Sequence, residues 1–498
     1  MPADILNSPR SQADQLGLPI PDDTHAVSVC LPTWSDIIGY EEKHDQVIDR
    51  LKAAYPRFGF HPLIKQLCRD FIDFDGQQGL PFASAETAER AVRYCQERAG
   101  VTASASLITS SPSEFHAVTV AKSDFDTLKE YWQHAGENLS SRAIEGLLAG
   151  QAVTCSETKS RTVVRGRVAD IQQTAADNVL LYPSGMAAIA TAFRTVQAVR
   201  PGPTCQFGFP YVDTLKVQQK FAPAECLFLP LGNANDLQKL DIACQTSNIS
   251  AVFCEVPTNP LLVTPDLKQL RQLADRHNFL LIIDDTLTAC GNIHTLPFSD
   301  ITVTSLTKYF SGEGNVLAGS LTVNPNGKFA NDVHQHFSKT FEESLCDHDV
   351  EVLEANSSNL QQRIRTTNET SLQLANFLKQ HELVEQVFYP SAEDPIYRGL
   401  QNANSGCGGL MSIVLRNPTR STPHFYDNLK VNKGPNLGTR FTLCCPFTML
   451  AHYNELDFAE SCGVSRWLLR ISVGLESADD LIGRFQDAFE SLTDSESQ

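Results

Sequence analysis

The sequence has no run of about 18 consecutive apolar residues, the least a membrane span needs, so neither a transmembrane helix nor a membrane partner is expected. Met1 to Pro21 lacks a basic stretch followed by an apolar one, so no secretory signal is expected and the chain is assigned to the cytoplasm. A basic excess is also missing: 40 Lys and Arg face 58 Asp and Glu, for a net charge of -18. A nucleic-acid surface needs clustered cations, so no such partner is expected. The acidic balance favours solubility and names no substrate. No Cys-x-x-Cys pair occurs among the 14 cysteines, whose only adjacent pair is Cys444-Cys445. With no secretory signal, this points to reduced, mostly buried thiols rather than disulfides or a metal site. Asn138-Leu139-Ser140 fits a glycosylation acceptor that a cytosolic chain would leave unmodified. No internal repeat is evident.

What is there is 498 residues, too many for one ordinary core, so two or three domains are expected. Residues 1–25 are polar and unpatterned and are expected to form a disordered tail. Residues 26–140 form an N-terminal extension, expected to be mostly helical, with helices over Ile48 to Tyr55, Pro62 to Phe74 and Ala85 to Ala99 and no catalytic motif. From 141 to 335 short apolar strands alternate with amphipathic helices. Asn178 to Tyr182, Ala251 to Val256, Leu280 to Asp284 and Ile301 to Ser305 read as strands. Ser184 to Arg200 reads as a helix with Ile189, Phe193, Val196 and Val199 on one side. Thr264 to Phe279 reads as another, with Thr264 as N-cap and Pro265 at its first position. This alternation implies an α/β domain, a parallel sheet covered by helices on both faces. Residues 336–498 read as a smaller α+β domain, with helices over Glu351 to Leu378 and Ala478 to Leu492 and strands over Met411 to Leu415 and Trp467 to Val473.

Open parallel sheets bind ligands beyond the carboxyl ends of their strands. Ser184-Gly185 follows one strand and opens a helix, whose free N–H groups and positive dipole suit a phosphate. Asp284 ends another strand. Ser305, Thr307 and Lys308 end a third. Alone, a Ser-Gly is usually a plain N-cap and an Asp after a strand a turn residue. Together, an amine able to form an imine, an acid able to keep a ring nitrogen protonated and a phosphate cup are what pyridoxal 5'-phosphate (PLP) requires.

The chain resembles the cystathionine γ-synthase group of the Cys/Met-metabolism PLP-dependent enzymes. The matching segments are SGMAAI (184–189), EVPTNPLL (255–262), IDDT (283–286), SLTKYFSG (305–312), VLAGS (316–320) and LLRISVGLE (468–476). GLPIPDDTHAVSVCLPTW (17–34) and YPRFGFHP (55–62) resemble the extension of fungal members. The resemblance implies the aspartate-aminotransferase-like fold, fold type I, with a parallel-sheet large domain and a smaller α+β C-terminal domain. It implies that Lys308 forms the internal aldimine and moves protons, and that Asp284 pairs with the pyridine nitrogen. The phosphate would be held by the backbone of Gly185 and Met186, next to Ser184, with Ser305 and Thr307 adding hydroxyls. Tyr211 matches the tyrosine stacked on the cofactor ring and acting in catalysis, Asn259 the asparagine near the ring oxygen, and Arg470 the arginine for the substrate α-carboxylate. The chain departs from the pattern in three places. Ser140-Ser141-Arg142 stands for the Tyr-x-Arg that reaches a neighbouring subunit's phosphate, leaving Arg142 as the candidate and Arg165 as its fallback. Gly312 to Asn315 replaces Gly-His-x-Asp. Asn436-Leu437-Gly438 replaces Ser-Leu-Gly, making Asn436 a substrate-pocket candidate.

The implied reaction is γ-substitution on O-acyl-L-homoserine through a vinylglycine-type intermediate. A thiol such as cysteine would give cystathionine; a carbon or amine nucleophile would give an unusual amino acid of a secondary pathway. A γ-lyase releasing a 2-oxo acid and ammonia is the alternative. A non-enzymatic binding protein is the third, opposed by the intact Lys308, Asp284 and Arg470. The expected partners are a small amino-acid substrate and further copies of the chain, as homodimers or homotetramers sharing active sites.

Overall fold

A computed structural model describes residues 4–55, 59–74, 76–110, 113–221 and 224–496. Three sheets organise it. The first is antiparallel, in the order β1 (Gln77–Phe82), β3 (Ser113–Ala121), β2 (Ala103–Ser110). It packs with the helices Ala85–Ala99 and Phe125–Ala135 around Phe82, Val118, Leu128 and Trp132. The extension is therefore not mostly helical. Of its expected helices, Ala85–Ala99 forms over those bounds, starting at the Ser84 cap and ending at Gly100, which has φ 65°. The stretch expected from Ile48 to Tyr55 is helical only over Asp45–Ile48. The one expected from Pro62 to Phe74 runs over Pro62–Leu67 and then widens into a π-turn, Cys68–Ile72.

The second sheet has seven strands: β4 (Val179–Tyr182), β5 (Thr204–Phe207), β6 (Cys226–Leu229), β7 (Ala251–Glu255), β8 (Leu280–Asp284), β9 (Ile301–Thr304) and β10 (Gly319–Val323). Their order is β4-β10-β9-β8-β7-β5-β6. The five from β9 to β6 run parallel. β10 is antiparallel to both its neighbours, so the sheet is mixed rather than parallel. β7 and β8 are buried on both faces, which is why their sequences are unbroken apolar runs. The helix expected from Thr264 is Leu267–His277, because Asp266, not Thr264, accepts the Gln269 N–H at its start.

The third sheet follows the order β11 (Val384–Phe388), β12 (Leu410–Leu415), β15 (Leu469–Ser472), β14 (Leu443–Pro446), β13 (Asn432–Lys433). Its core takes in residues from the other end of the chain: Leu16, Val29, Leu31, Trp34 and Tyr40 pack with Met411, Ile413, Ile471 and Phe485. Ile5 and Ile20 are buried against Phe441 and Leu443. The described part of the expected tail, residues 4–25, is thus built into the C-terminal core. Its few apolar side chains find partners more than 400 residues away, which local composition cannot show. No helix among the described residues is long and apolar enough to cross a membrane.

Candidate active site

The carboxyl ends of β7, β8 and β9 deliver Glu255, Asp284 and the Ser305–Lys308 turn to one cavity. The same cavity is lined by Ser184, Gly185, Met186, Tyr211, Asn259, Asn436 and Arg470. Every residue expected at the site is there except the candidate arginines. Arg142 is held by Asp349 at 2.7 Å and by the Asn315 carbonyl at 3.1 Å, outside its own chain's cavity. Arg165 is paired with Glu157 and Glu343.

Lys308 is buried, and its Nζ donates to Asn436 Oδ1 at 2.5 Å and to the Tyr55 hydroxyl at 2.9 Å. Its backbone packs under the turn at Gly438, where φ is 72° and a Cβ would stand 2.6 Å from the Tyr309 nitrogen, so only glycine fits. Asn436 itself holds φ 145°, rare for a residue with a side chain, and its buried Nδ2 has no partner among the described residues. Burial pushes the Asp284 carboxyl up to about 6, against the opposing donors of Thr286. Beside it, burial and then the Asp284 charge raise Glu255 well above the usual carboxylate range. Glu255 accepts the Tyr211 backbone N–H at 2.7 Å, anchoring the turn that carries that ring.

Arg470 is buried with no carboxylate partner among the described residues. Its guanidinium lies 4.8 Å from the Phe447 ring centroid and donates to Asn259 Oδ1 and the Asn436 carbonyl, both at 3.2 Å. A surface ion pair is therefore not its role. At the helix Gly185–Val199, Gly185 and Met186 have no intrahelical acceptor for their N–H groups. A Cβ on Gly185 would stand 2.8 Å from Ser305 Cβ, so a side chain there would fill the cup. The Ser184 hydroxyl is already used: it accepts from Ala187 N and donates to the Gly136 carbonyl at 2.7 Å. Thr307 likewise exchanges hydrogen bonds with Ala318. Ser305 is the hydroxyl left to face an anion. A strand-end amine, a cavity acid, a helix tip with free N–H groups and an arginine without a carboxylate partner among the described residues fit PLP carrying an amino acid.

Sequence reasoning missed Val27, Tyr40, Glu41 and Tyr55, which all line the cavity from the extension. Tyr55 reaches Lys308 across 253 positions, a separation no local pattern encodes.

Residues 145–490 match the family model described as Cys/Met metabolism PLP-dependent enzyme, and residues 61–140 match the fungal trans-sulfuration enzyme N-terminal domain. The fold and site are those of a PLP-dependent enzyme of fold type I, with PLP as its cofactor. The chain belongs to the Cys/Met-metabolism family and is a cystathionine γ-synthase-like transferase. It is 32% identical to the cystathionine gamma-synthase of Neurospora crassa, over 95% of this chain and 98% of the relative. It is 29% identical to the cystathionine gamma-synthase-like enzyme iboG2 of Amanita muscaria, over 95% and 96%. The structure of cystathionine gamma synthase from Xanthomonas oryzae in complex with cystathionine superposes with a TM-score of 0.59. It is 22% identical and covers 68% of this chain and 87% of that one.

Proposed function

We propose that the protein catalyses γ-substitution on an O-acyl-L-homoserine, replacing the acyloxy group with a thiol, carbon or amine nucleophile. The observation that carries this reading is Arg470, a buried guanidinium without a carboxylate counter-ion among the described residues, in the same cavity as the Lys308 amine. Bidentate capture of an α-carboxylate suits that fork. Bound PLP supplies the electron sink that makes the α-proton of an amino acid acidic.

The chain's own groups do the rest. Arg470 binds and orients the α-carboxylate. Lys308 takes the α-proton, with Tyr55 and Asn436 steering its Nζ. Asp284 holds a proton on the ring nitrogen. Gly185 and Met186 N–H and the Ser305 hydroxyl bind phosphate, Tyr211 covers the ring, and Asn259 fixes Arg470 from the side. A thiol such as cysteine is the alternative that the likeness to the Neurospora enzyme would favour. Gly312 to Asn315 and Asn436, which depart from the family pattern, support the others.

Incubation with O-acetyl-L-homoserine and a panel of thiol, amine and carbon nucleophiles tests this by mass spectrometry. The expected result is a new amino acid bearing the nucleophile at Cγ, in equal amount to acetate. Release of 2-oxobutyrate and ammonia at one rate whatever nucleophile is present would make the protein a lyase instead.

A further inference from the structure

One corner of the cavity is built by two packed helices, Trp34–Glu41 from the extension and Phe447–Ala451 from the C-terminal domain. Phe447 ties this corner to the substrate end of the site, since the Arg470 guanidinium rests on its ring. Val27, Tyr40, Leu450 and Ala451 make the rest of the surface apolar. Glu41 stands at the end of its helix in this wall, half-buried.

The acids of the cavity differ in one respect. Asp284 accepts from the Thr286 N–H, and Glu255 from the Tyr211 N–H. The next acid along the chain, Glu42, is engaged by Tyr453 and His44. Lys43 turns its ammonium to the Tyr40 carbonyl. Among the described residues the Glu41 carboxyl has no hydrogen bond and no ion pair. A partly buried acid without a donor costs stability that no hydrogen bond returns, and it leaves both carboxyl oxygens able to take a proton from a bound molecule.

We propose that Glu41 is the general base that receives the proton of the second substrate as it bonds to the γ-carbon, and that this substrate is an uncharged, largely apolar carbon or thiol acid rather than a free amino acid. This rests on the γ-substitution reading. The cavity's two cations among the described residues, Lys308 and Arg470, are committed to the cofactor and to the first carboxylate. A second carboxylate would meet Glu41 instead, while an apolar body would meet Tyr40, Phe447 and Leu450.

The step balances without an oxidant or reductant. The electron pair of the nucleophile's C–H or S–H bond becomes its bond to Cγ, and the proton goes to a Glu41 Oε. The acyloxy group leaves as a carboxylate with the Cγ–O pair. Burial lifts the Glu41 carboxyl to about 7, where a base works best near neutral pH. The charged and titratable groups around it are Lys43, Tyr40 and Tyr453 nearby, and Tyr55, Tyr211, Lys308, Cys445, Arg470, Glu255 and Asp284 across the cavity.

The test uses the full-length holoenzyme as wild type, Glu41→Gln and Glu41→Asp, each with O-acetyl-L-homoserine and either ethyl 3-oxobutanoate or L-cysteine. The readout is the ratio of substituted product to 2-oxobutyrate, with the pH profile of kcat/KM for the nucleophile. The expected result is that the ester is used in preference to cysteine. Glu41→Gln should lower the ratio about 10²-fold or more, and Glu41→Asp should restore part of it. The wild-type profile should rise through about pH 7, and Glu41→Gln should lose that limb. An unchanged ratio in Glu41→Gln, or cysteine outcompeting the ester, overturns the proposal. Wild type that releases neither acetate nor 2-oxobutyrate overturns the γ-substitution reading itself, a separate and recognisable failure.

Discussion

Asp284 is pulled two ways. Its place at the end of a fully buried strand raises its carboxyl from 3.8 to about 6, whereas a protonated ring nitrogen needs it ionised. Because the folded chain keeps that proton to higher pH than the unfolded one, the stability linked to it is fully present below about pH 4. It is lost as pH rises through about 6. At pH 7 the cofactor-free protein therefore carries a penalty of at most about 3 kcal/mol, at 1.36 kcal/mol per pH unit. Asp284→Asn should raise the melting temperature of the cofactor-free protein at pH 7, with the gain vanishing toward pH 4. In the same variant PLP should be retained less well, as dialysis followed by absorbance would show. An equal melting temperature at pH 7 would mean that the carboxyl is not strained by burial. At this scale the sequence was informative wherever chemistry sits beside a strand. Asp284 closes an apolar run, Lys308 stands four residues past a strand end, and Arg470 lies inside an apolar run. Glu41 and Tyr55 carry no such flag, because what makes them site residues is contact with segments hundreds of positions away.

Among elements, one buried acid, Glu137, ties the extension to the large domain, alongside the His134–Asp213 and Lys220–Glu130 pairs. Glu137 accepts from Arg90 on the helix Ala85–Ala99 at 2.8 Å, from Arg194 on the helix Gly185–Val199 at 2.6 Å, and from Tyr131 at 3.0 Å. Burial alone would raise its carboxyl; Arg194 and Arg90 outweigh that and hold it below the usual range. Its stabilising effect is therefore present above the ordinary glutamate pKa and lost as pH falls below it. Next to it, the Gly136 carbonyl receives the Ser184 hydroxyl, so the same contact steadies the helix tip of the phosphate cup. Glu137→Ala should cost about 2–3 kcal/mol at pH 7, less than the 3–5 of a fully buried pair, because both arginines are partly exposed. Thermal melts should show the difference from wild type shrinking below about pH 4.5. A loss that is the same at both pH values would assign the effect to packing. Element reading succeeded where burial writes a pattern: Leu280–Asp284 forms over the bounds its apolar run indicated. It failed for β2, a Ser- and Ala-rich edge strand that is mostly exposed and so has no alternation to read. It also missed β10, and the expectation of a parallel sheet gave no warning of its antiparallel course, since a strand's residues do not encode which way it runs.

For the whole molecule, the two ends of the chain make one domain. Leu31 N donates to the Lys433 carbonyl, the Tyr426 hydroxyl donates to the Leu31 carbonyl, and the buried Lys433 ammonium donates to the carbonyls of Pro32 and Asp427. Trp34 stacks on Trp467 with ring centroids 5.5 Å apart. Ile5, Leu16, Ile20, Val29, Cys30 and Leu31 are all buried there. At about 1.5–3 kcal/mol for a fully buried large apolar side chain, the set contributes on the order of 10 kcal/mol, as an upper figure. That equals the net stability of a typical domain. The C-terminal domain should therefore not fold without the first 33 residues, although its sheet lies wholly after residue 380. A chain starting at Trp34 should be insoluble, or should lose the cooperative melt of that domain. Leu31→Ala in the full chain, a milder change, should stay folded and cost about 2–5 kcal/mol. If the shortened chain were soluble and melted within a few degrees of the full one, the N-terminal segment would be a covering on a domain that stands by itself. The cavity wall formed by Val27 would then be an accessory rather than part of the domain that carries Arg470.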